Sequence, residues 1–106
     1  YLLKQGYDII EENWYSHHRE IDLIAVTGNL IVFVEVKLRQ ADAADDASEA
    51  MTKRKQTLLT EAANYYMQRI HEDKEARFDF IAVYENPIGG KERVQHIKNA
   101  FYPELS

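Results

Sequence analysis

The sequence predicts an α/β domain with a central mixed β-sheet, and three observations support this prediction. Apolar and β-branched segments flank Gly28 and Asn29 within residues 19–39, which is the pattern of a β-hairpin. A long segment with apolar residues at helical spacing follows, and residues 77–84 return to the composition of a strand. Because a helix commonly connects parallel strands, we expect an antiparallel opening followed by a parallel crossover, in two or three layers.

The predicted elements are separated by clear turn and loop signals. Residues 1–6 are typical of the last turns of a helix that is stopped by Gly6, so the N-terminal helix is expected to start upstream. Three strands follow, one at residues 7–16 and two in the hairpin. The later segments are a small acidic loop at 40–47, the strand at 77–84, a loop at 85–92 and a final strand at 93–99.

One long helix is predicted between the hairpin and the strand at 77–84. It should begin at Ser48, which suits an N-cap, and end near Asp73. Lys55 and Gln56 lie on or near its apolar stripe, so Lys55 either reaches past that stripe to the surface or extends into a site. The stripe itself, which should face the sheet, consists of Met51, Leu58, Leu59, Ala62, Tyr66 and Ile70.

Length and composition limit the class of protein. We expect residues 1–106 to form one domain. The absence of cysteine excludes disulfides and thiolate zinc sites. No apolar run approaches the roughly 20 residues that cross a bilayer, and no signal segment opens the chain, so a cytoplasmic location is expected. The net charge of −5 argues against nonspecific coating of nucleic acid, although Lys53, Arg54 and Lys55 form a local basic cluster.

Charged residues interrupt the hairpin at Glu20, Asp22, Glu35 and Lys37. A two-residue turn would place Asp22 opposite Glu35 and Glu20 opposite Lys37. Alternation puts Glu35 and Lys37 on one face of their strand. Directly opposed carboxylates destabilise a sheet, and a divalent cation such as Mg²⁺ or Mn²⁺ would remove that repulsion.

These charges have two interpretations. A Glu-x-Lys sequence on a strand is common on the solvated face of an antiparallel sheet, where it has no chemical role. Here, however, the residues on both sides of Glu35 are apolar, as in a strand that is covered on both faces, and an unpaired charge is costly there. Two carboxylates, a cation and Lys37 are the groups that metal-assisted phosphodiester hydrolysis requires.

The segments EIDLIAV and VFVEVK resemble the YraN-like family of endonuclease-related proteins in the PD-(D/E)XK nuclease superfamily, which includes archaeal Holliday-junction resolvases. The resemblance extends from GYDII through RFDFIAV to HIKNAF. It implies a restriction-endonuclease-like core with a central mixed β-sheet flanked by helices. It also implies a Mg²⁺- or Mn²⁺-dependent deoxyribonuclease that hydrolyses phosphodiester bonds in DNA, including branched or structured DNA. A homodimer is compatible with this resemblance.

The same resemblance assigns roles to individual residues. Asp22, Glu35 and Lys37 correspond to the two catalytic acids and the lysine. Asp22, Glu35 and the backbone carbonyl of Val36 would hold the metal. The alternative is a catalytically silent module that binds nucleic acid or protein on the same fold. The accessory candidates are Glu20, which could instead form a salt bridge with Lys37, together with Lys55 and Gln56.

The remaining polar and aromatic residues carry weaker signals. His17 and His18 precede the second strand in a polar loop and are expected at the surface, where either could approach a phosphate. No partner histidine lies at the spacing of a zinc site. Arg77 and Asp79 are expected to make ordinary surface or strand-end contacts. Three aromatic residues are expected to pack rather than to stack on bases, a choice that only their exposure decides: Tyr7, Trp14 and Tyr15.

Overall fold

The computed structural model describes residues 1–40, 52–70, 73–85 and 93–101. Within these ranges, α1 is the one helix longer than a single turn, and no described helix is long and apolar enough to cross a membrane. The elements, in chain order, are a 3-10 turn at Leu3–Gln5, β1 at Asp8–Ser16, β2 at Arg19–Thr27, β3 at Leu30–Gln40, α1 at Lys53–Ile70, β4 at Glu75–Glu85 and β5 at Arg93–Ile97.

The five strands form one sheet in the order β1-β2-β3-β4-β5. Strands β1 to β3 form an antiparallel meander, β3 and β4 are parallel, and β4 and β5 are antiparallel. The chain passes through α1 between the two parallel strands, as a parallel connection requires. The predicted α/β fold with a mixed sheet is therefore confirmed, and it is consistent with a restriction-endonuclease-like core.

The hairpin between β2 and β3 has the predicted two-residue turn. Thr27 pairs with Leu30, and the same register continues to the pair of Leu23 and Val34. Gly28 has a φ of +56°, a conformation that residues with a Cβ adopt at a cost. The predicted register is confirmed over this part of the hairpin.

Apolar residues cover β3 and β4 on both faces of the sheet. Alternation along β3 sends Ile31 and Phe33 towards α1, where Leu59, Ala62 and Tyr66 pack against the sheet. On the opposite face Leu2 and Tyr7 from the N-terminal segment pack against Ala25, Val32, Val34 and Ile81. This two-sided burial accounts for the continuous apolar sequence of β3.

Helix α1 differs from its prediction at both ends. Thr52 Oγ1 accepts a hydrogen bond from the Lys55 backbone N–H at 3.2 Å, so Thr52 caps the helix in the described residues. The predicted cap, Ser48, and the stripe residue Met51 lie outside those residues. The helix ends at Ile70, and Asp73 is not helical.

Two further details depart from the sequence prediction. Leu58, expected in the buried stripe, is 48% exposed, because Leu59, Ala62 and Ala63 provide the face that meets the sheet. The N-terminal segment is a 3-10 turn rather than α-helix, and Gly6 ends it with a φ of +90°, as predicted for this glycine. Gln40 and Glu85, predicted as the first residues of the loops at 40–47 and 85–92, are the last residues of β3 and β4, and the rest of both predicted loops lies outside the described residues.

The expectation of surface contacts for Asp79 and Arg77 is wrong. Asp79 is fully buried, and Arg77 donates to both of its carboxylate oxygens at 2.8 Å. His96 Nε2 lies 2.6 Å from Asp79, and Arg77 also donates to the Tyr7 hydroxyl at 2.6 Å. The hydrogen bond to Asp79 raises the pKa of Arg77 above its ordinary value. Burial of a charged carboxylate is costly unless partners such as these pair with it. The network also joins the N-terminal segment to β4 and β5.

Candidate active site

Strand β2 loses its regular pairing at Asp22. The ladder with β3 ends at Leu23, one residue before Asp22 would pair with Glu35. On the β1 side, Asp22 falls between two paired positions and has no ladder partner of its own. Asn13, which lies across from it, has a φ of +51°. The backbone is therefore irregular on both strands at this position.

The side chains of β2 show that the strand bends there. Ile21 and Ile24 are three residues apart, so strict alternation would place them on opposite faces of the sheet. Both instead belong to the cluster that packs against α1. The orientation of the strand therefore changes between them, at Asp22.

The bend allows the Asp22 carboxylate to bond to the backbone of β3. The Val36 N–H donates to Asp22 Oδ2 at 2.8 Å. In an antiparallel strand the N–H and C=O of one residue point to the same side, so the Val36 carbonyl is also directed towards β2. The metal-ligand prediction named this carbonyl and this carboxylate, and the structure brings them to the same edge of β3.

The predicted direct pairing of the four hairpin charges needs correction. Asp22 does not pair with Glu35 in the ladder, because the bend turns its side chain towards Val36. Glu20 pairs with Tyr15 of β1, and no ion pair joins Glu20 to Lys37 in the part of the chain that the structure describes. The acids still meet, but through a bent strand rather than through a regular ladder.

Glu35 is half-buried and is influenced by all of the predicted charged residues around it. Burial is the largest influence and raises the pKa of Glu35 above its ordinary value of 4.5, and the nearby Asp22 carboxylate raises it further. The positive charge of Lys55, and to a smaller extent that of Lys37, lowers the pKa of Glu35. The Glu20 carboxylate raises this pKa and is the weakest of these influences. Five charges from β2, β3 and α1 thus converge on one region.

An open cleft of about 270 Å³ lies at this point between the bent strand and the start of α1. Of the predicted site residues, the bend and α1 bring Glu20, Asp22, Glu35 and Lys55 together in its wall. Lys37 is exposed beside the cleft and does not line it, and neither does Gln56. The lining is His18, Arg19, Glu20, Asp22, Glu35, Lys55, Leu58 and Leu59.

Sequence reasoning gave no site role to three residues of this lining, Arg19, Leu58 and Leu59, and it named His18 only as a surface residue that could approach a phosphate. His17 and His18 are surface residues, as predicted, but they are the two central residues of the β1–β2 turn and both have positive φ, at +51° and +62°. The position of His18 and Arg19 directly before Glu20 was the one available sequence signal. Their approach to the cleft depends on the bend, which no local pattern reveals.

The cleft offers hard oxygen donors of the kind that Mg²⁺ and Mn²⁺ prefer. In the described ranges no group of three or more His, Asp or Glu side chains is close enough to hold a metal ion by itself. The carboxylate oxygens that line the cleft belong to Glu20, Asp22 and Glu35. Few protein ligands, completed by water, suit Mg²⁺ in particular.

The sheet order and the crossover helix α1 define an α/β protein, and together with the cleft at a bent strand they are consistent with a restriction-endonuclease-like core. A family model described as "Uncharacterised protein family UPF0102" matches residues 1–83, and the chain belongs to this family. This result confirms the resemblance to YraN-like proteins that the sequence motifs indicated.

Curated relatives carry the same family name. A UPF0102 protein of Porphyromonas gingivalis is 39% identical over 101 residues, which cover 95% of this chain and 75% of the relative. One of Bacteroides thetaiotaomicron is 41% identical over 106 residues, covering 99% and 85%. One of Clostridium botulinum is 41% identical over 103 residues, covering 95% and 84%.

Proposed function

We propose that this chain is a metal-dependent nuclease that hydrolyses phosphodiester bonds in DNA, including branched or structured DNA. The observation that carries the proposal is the convergence of Asp22 and Glu35 on one open cleft, with the Asp22 carboxylate fixed by the Val36 N–H. Family membership supports the fold behind this proposal.

Asp22, Glu35 and the Val36 carbonyl would hold Mg²⁺ or Mn²⁺. The raised pKa of Glu35 shows that burial and the neighbouring carboxylate disfavour its negative charge in the metal-free protein. A cation between the two acids would offset this cost. When bound, it would polarise a phosphate oxygen and make a water molecule more acidic.

The chain's own groups position this chemistry. The hydrogen bond from Val36 limits the orientations of the Asp22 carboxylate, so less freedom is lost when it takes up its functional geometry. Lys55 lines the cleft, and its positive charge acts on Glu35 more strongly than that of Lys37. Either ammonium group could stabilise negative charge on a phosphate, and the presence of Lys55 in the cleft lining supports Lys55 as the group with the more direct access.

A second candidate is a nucleic-acid- or protein-binding module without turnover. The observation that favours it is the position of Lys37, which is exposed and outside the cleft wall although the family resemblance makes it the catalytic lysine. The net charge of −5 is also unusual for a protein that binds a polyanion. The cytoplasmic location and a homodimer stay predictions under both candidates.

Cleavage assays separate the two candidates. Single-stranded, duplex and four-way-junction DNA are incubated with the parent chain in Mg²⁺, in Mn²⁺ or in EDTA. We expect cleavage that requires the metal and that falls about a hundredfold or more in Glu35→Gln. Glu75→Gln is the matched control, because Glu75 is an exposed glutamate next to the Gly28–Asn29 turn.

The outcomes distinguish enzyme from binding module. Equal cleavage by the parent and by Glu35→Gln would contradict the proposal and indicate a contaminating nuclease. Binding of DNA without cleavage under any metal would support the second candidate. A larger loss in Lys55→Met than in Lys37→Met is expected if the cleft lining identifies the lysine that contacts phosphate.

A further inference from the structure

Tyr15 lies next to His18, a residue of the cleft lining, with its ring exposed. Its side chain is 62% exposed, and its Oη lies 3.2 Å from His18 Nδ1, within hydrogen-bond distance. Tyr15 pairs with Glu20 across the β1–β2 ladder, and directly paired residues project from the same face. His18 and Glu20 line the cleft, whereas Tyr15 does not, so Tyr15 adjoins the cleft through its contact with His18.

Tyr7, Trp14 and Tyr15, which the sequence could not assign to packing or to base stacking, differ in their exposure and contacts. Tyr7 is 6% exposed and contacts Arg77. Trp14 packs edge-on against Tyr66 of α1, with ring centres 5.3 Å apart. Among the described rings Tyr15 meets that of His18, at an interplanar angle of 88°, so neither face of its ring is stacked on another described ring.

The turn that carries His18 is held in an unfavourable backbone conformation. His17 and His18 both have positive φ at positions where asparagine and glycine are preferred. The His17 ring contacts Tyr65 of α1, with centres 4.8 Å apart, and His18 contacts Tyr15. Packing on both sides therefore fixes the turn, and such strained non-glycine residues concentrate at functional sites. A site that is already ordered loses little entropy when a ligand binds.

Positive charge accompanies Tyr15 and His18. Arg19 lines the cleft one residue after His18, and its Nη1 donates to the His17 carbonyl at 3.2 Å. In the described part of the chain the buried Arg19 Nε has no hydrogen-bond partner, although Glu61 lies 3.7 Å away. A guanidinium held beside the two carboxylates provides donors for a phosphate that enters the cleft.

We infer that Tyr15 and His18 form a stacking site for an unpaired nucleobase of a DNA strand whose backbone enters the cleft. This inference rests on the proposed nuclease function and adds that the DNA next to the cut has an unpaired base. Every base presents a π-face, so stacking is tolerant of sequence. Bases within a duplex already stack on each other, so a single-stranded segment, a frayed end or a branch point next to the cut would satisfy this site.

Equilibrium binding tests the inference without requiring catalysis. A fluorescein-labelled 12-nucleotide single strand and a hairpin duplex are titrated with the full chain in EDTA. Tyr15→Leu, which keeps an apolar side chain without a ring, should weaken binding of the single strand by about five- to a hundredfold. Binding of the duplex should change less than about twofold. Tyr15→Phe should bind like the parent, because the ring is retained.

A matched control and a direct stacking readout accompany the titration. Tyr1→Leu alters a tyrosine of similar exposure, 51%, whose ring contacts His96 rather than the cleft, and it should bind like the parent. A single strand that contains 2-aminopurine reports base stacking by loss of its fluorescence. This quenching should occur with the parent and with Tyr15→Phe, and it should be lost with Tyr15→Leu.

The results separate this inference from the proposed function. Single-strand binding and quenching that are equal in the parent and in Tyr15→Leu would overturn the stacking site, even if Glu35-dependent cleavage is observed. An equal loss for the single strand and the duplex, or an equal loss in Tyr15→Phe, would also overturn it, because the effect would then not come from stacking on the ring. Tyr15-dependent quenching in a protein that cleaves no DNA would uphold the stacking site and reject the nuclease.

Discussion

Glu35 is the residue at which the competing energies of the cleft are most evident. Burial and Asp22 disfavour its charge, and Lys55 and Lys37 favour it. The raised pKa of Glu35 shows that burial and Asp22 together outweigh the two lysines in the metal-free protein. The carboxylate that suits a cation site is thus a source of instability when no cation is present.

Glu35→Gln should stabilise the metal-free protein at neutral pH by about 0.2–1 kcal/mol, the usual range for relief of like charges on neighbouring strands. Because the pKa of Glu35 is raised by folding, the folded state holds this proton more tightly than the unfolded state. The parent should therefore lose stability as the pH rises from the ordinary pKa of 4.5 through the higher folded value, and Glu35→Gln should lose less. Urea unfolding in EDTA across this range measures both, with Glu75→Gln as the control. A constant difference between the two proteins at every pH would contradict the prediction.

Manganese should stabilise the parent by mass action, because it would bind the folded cleft and not the unfolded chain. The stabilisation should be lost in Glu35→Gln and in Asp22→Asn and largely kept in Lys37→Met, which removes no oxygen donor. Thermal unfolding with and without Mn²⁺ at fixed ionic strength measures the effect and separates it from general screening. Equal stabilisation of the parent and of both acid variants would show that these carboxylates are not the ligands.

The acids themselves could be selected from sequence, because charges in an apolar hairpin are conspicuous. The bond from Val36 to Asp22 could not be predicted, since it depends on a bend in β2 that is fixed by contacts with β1 and α1. Asp79 shows the same limit: its neighbours Phe78 and Phe80 indicate a strand, but burial with Arg77 and His96 depends on β5 and on the N-terminal segment.

At the scale of elements, both two-residue turns of the meander require a backbone with positive φ, and different residues provide it. Gly28 supplies positive φ between β2 and β3, whereas His17 and His18 supply it between β1 and β2. The first turn and its register were predictable, because a glycine followed by asparagine between two apolar strands is typical of a two-residue turn. The second turn was not predictable, because histidine signals a left-handed backbone much more weakly than glycine does.

His18→Gly should stabilise the protein by up to about 1 kcal/mol, since glycine adopts this φ without the strain of a Cβ. The gain is reduced by the added freedom of glycine in the unfolded chain. Gly28→Ala should act in the opposite direction by about 1–2 kcal/mol, and nothing within 4 Å of the added Cβ would contribute a clash. Urea unfolding of both variants tests the pair. A destabilised His18→Gly would mean that contacts of the imidazole outweigh the backbone strain.

For the molecule as a whole, the sheet separates two polar regions with different tasks. The cleft lies on the face that carries α1, and the Asp79 network lies on the face that carries Leu2 and Tyr7. Asp79 is closed to solvent and satisfied by its partners, whereas the acids of the cleft are accessible to a ligand.

Asp79→Asn should therefore lower stability without altering the chemistry of the cleft. It leaves the Arg77 charge without its carboxylate, for which a loss of about 3 kcal/mol is expected. Asp8→Asn, at an exposed position of β1, is the matched control. Urea unfolding measures the stability, and a manganese titration of the folded variant measures the cleft. A loss of manganese affinity equal to that in Glu35→Gln would contradict the independence of the two regions.

The parallel pairing of β3 with β4 has a consequence for the order in which the protein folds. Pairs within the meander join residues at most 18 positions apart, such as Asp8 and Val26, whereas every pair between β3 and β4 spans 45 positions, as in Leu30 and Glu75. Closing the longer loop costs more chain entropy, and non-local pairing is the slower process. We therefore expect Asp22 and Glu35 to be brought together before α1 docks with Lys55, so the folding chain passes through a state in which the acids repel each other without their strongest internal counter-charge.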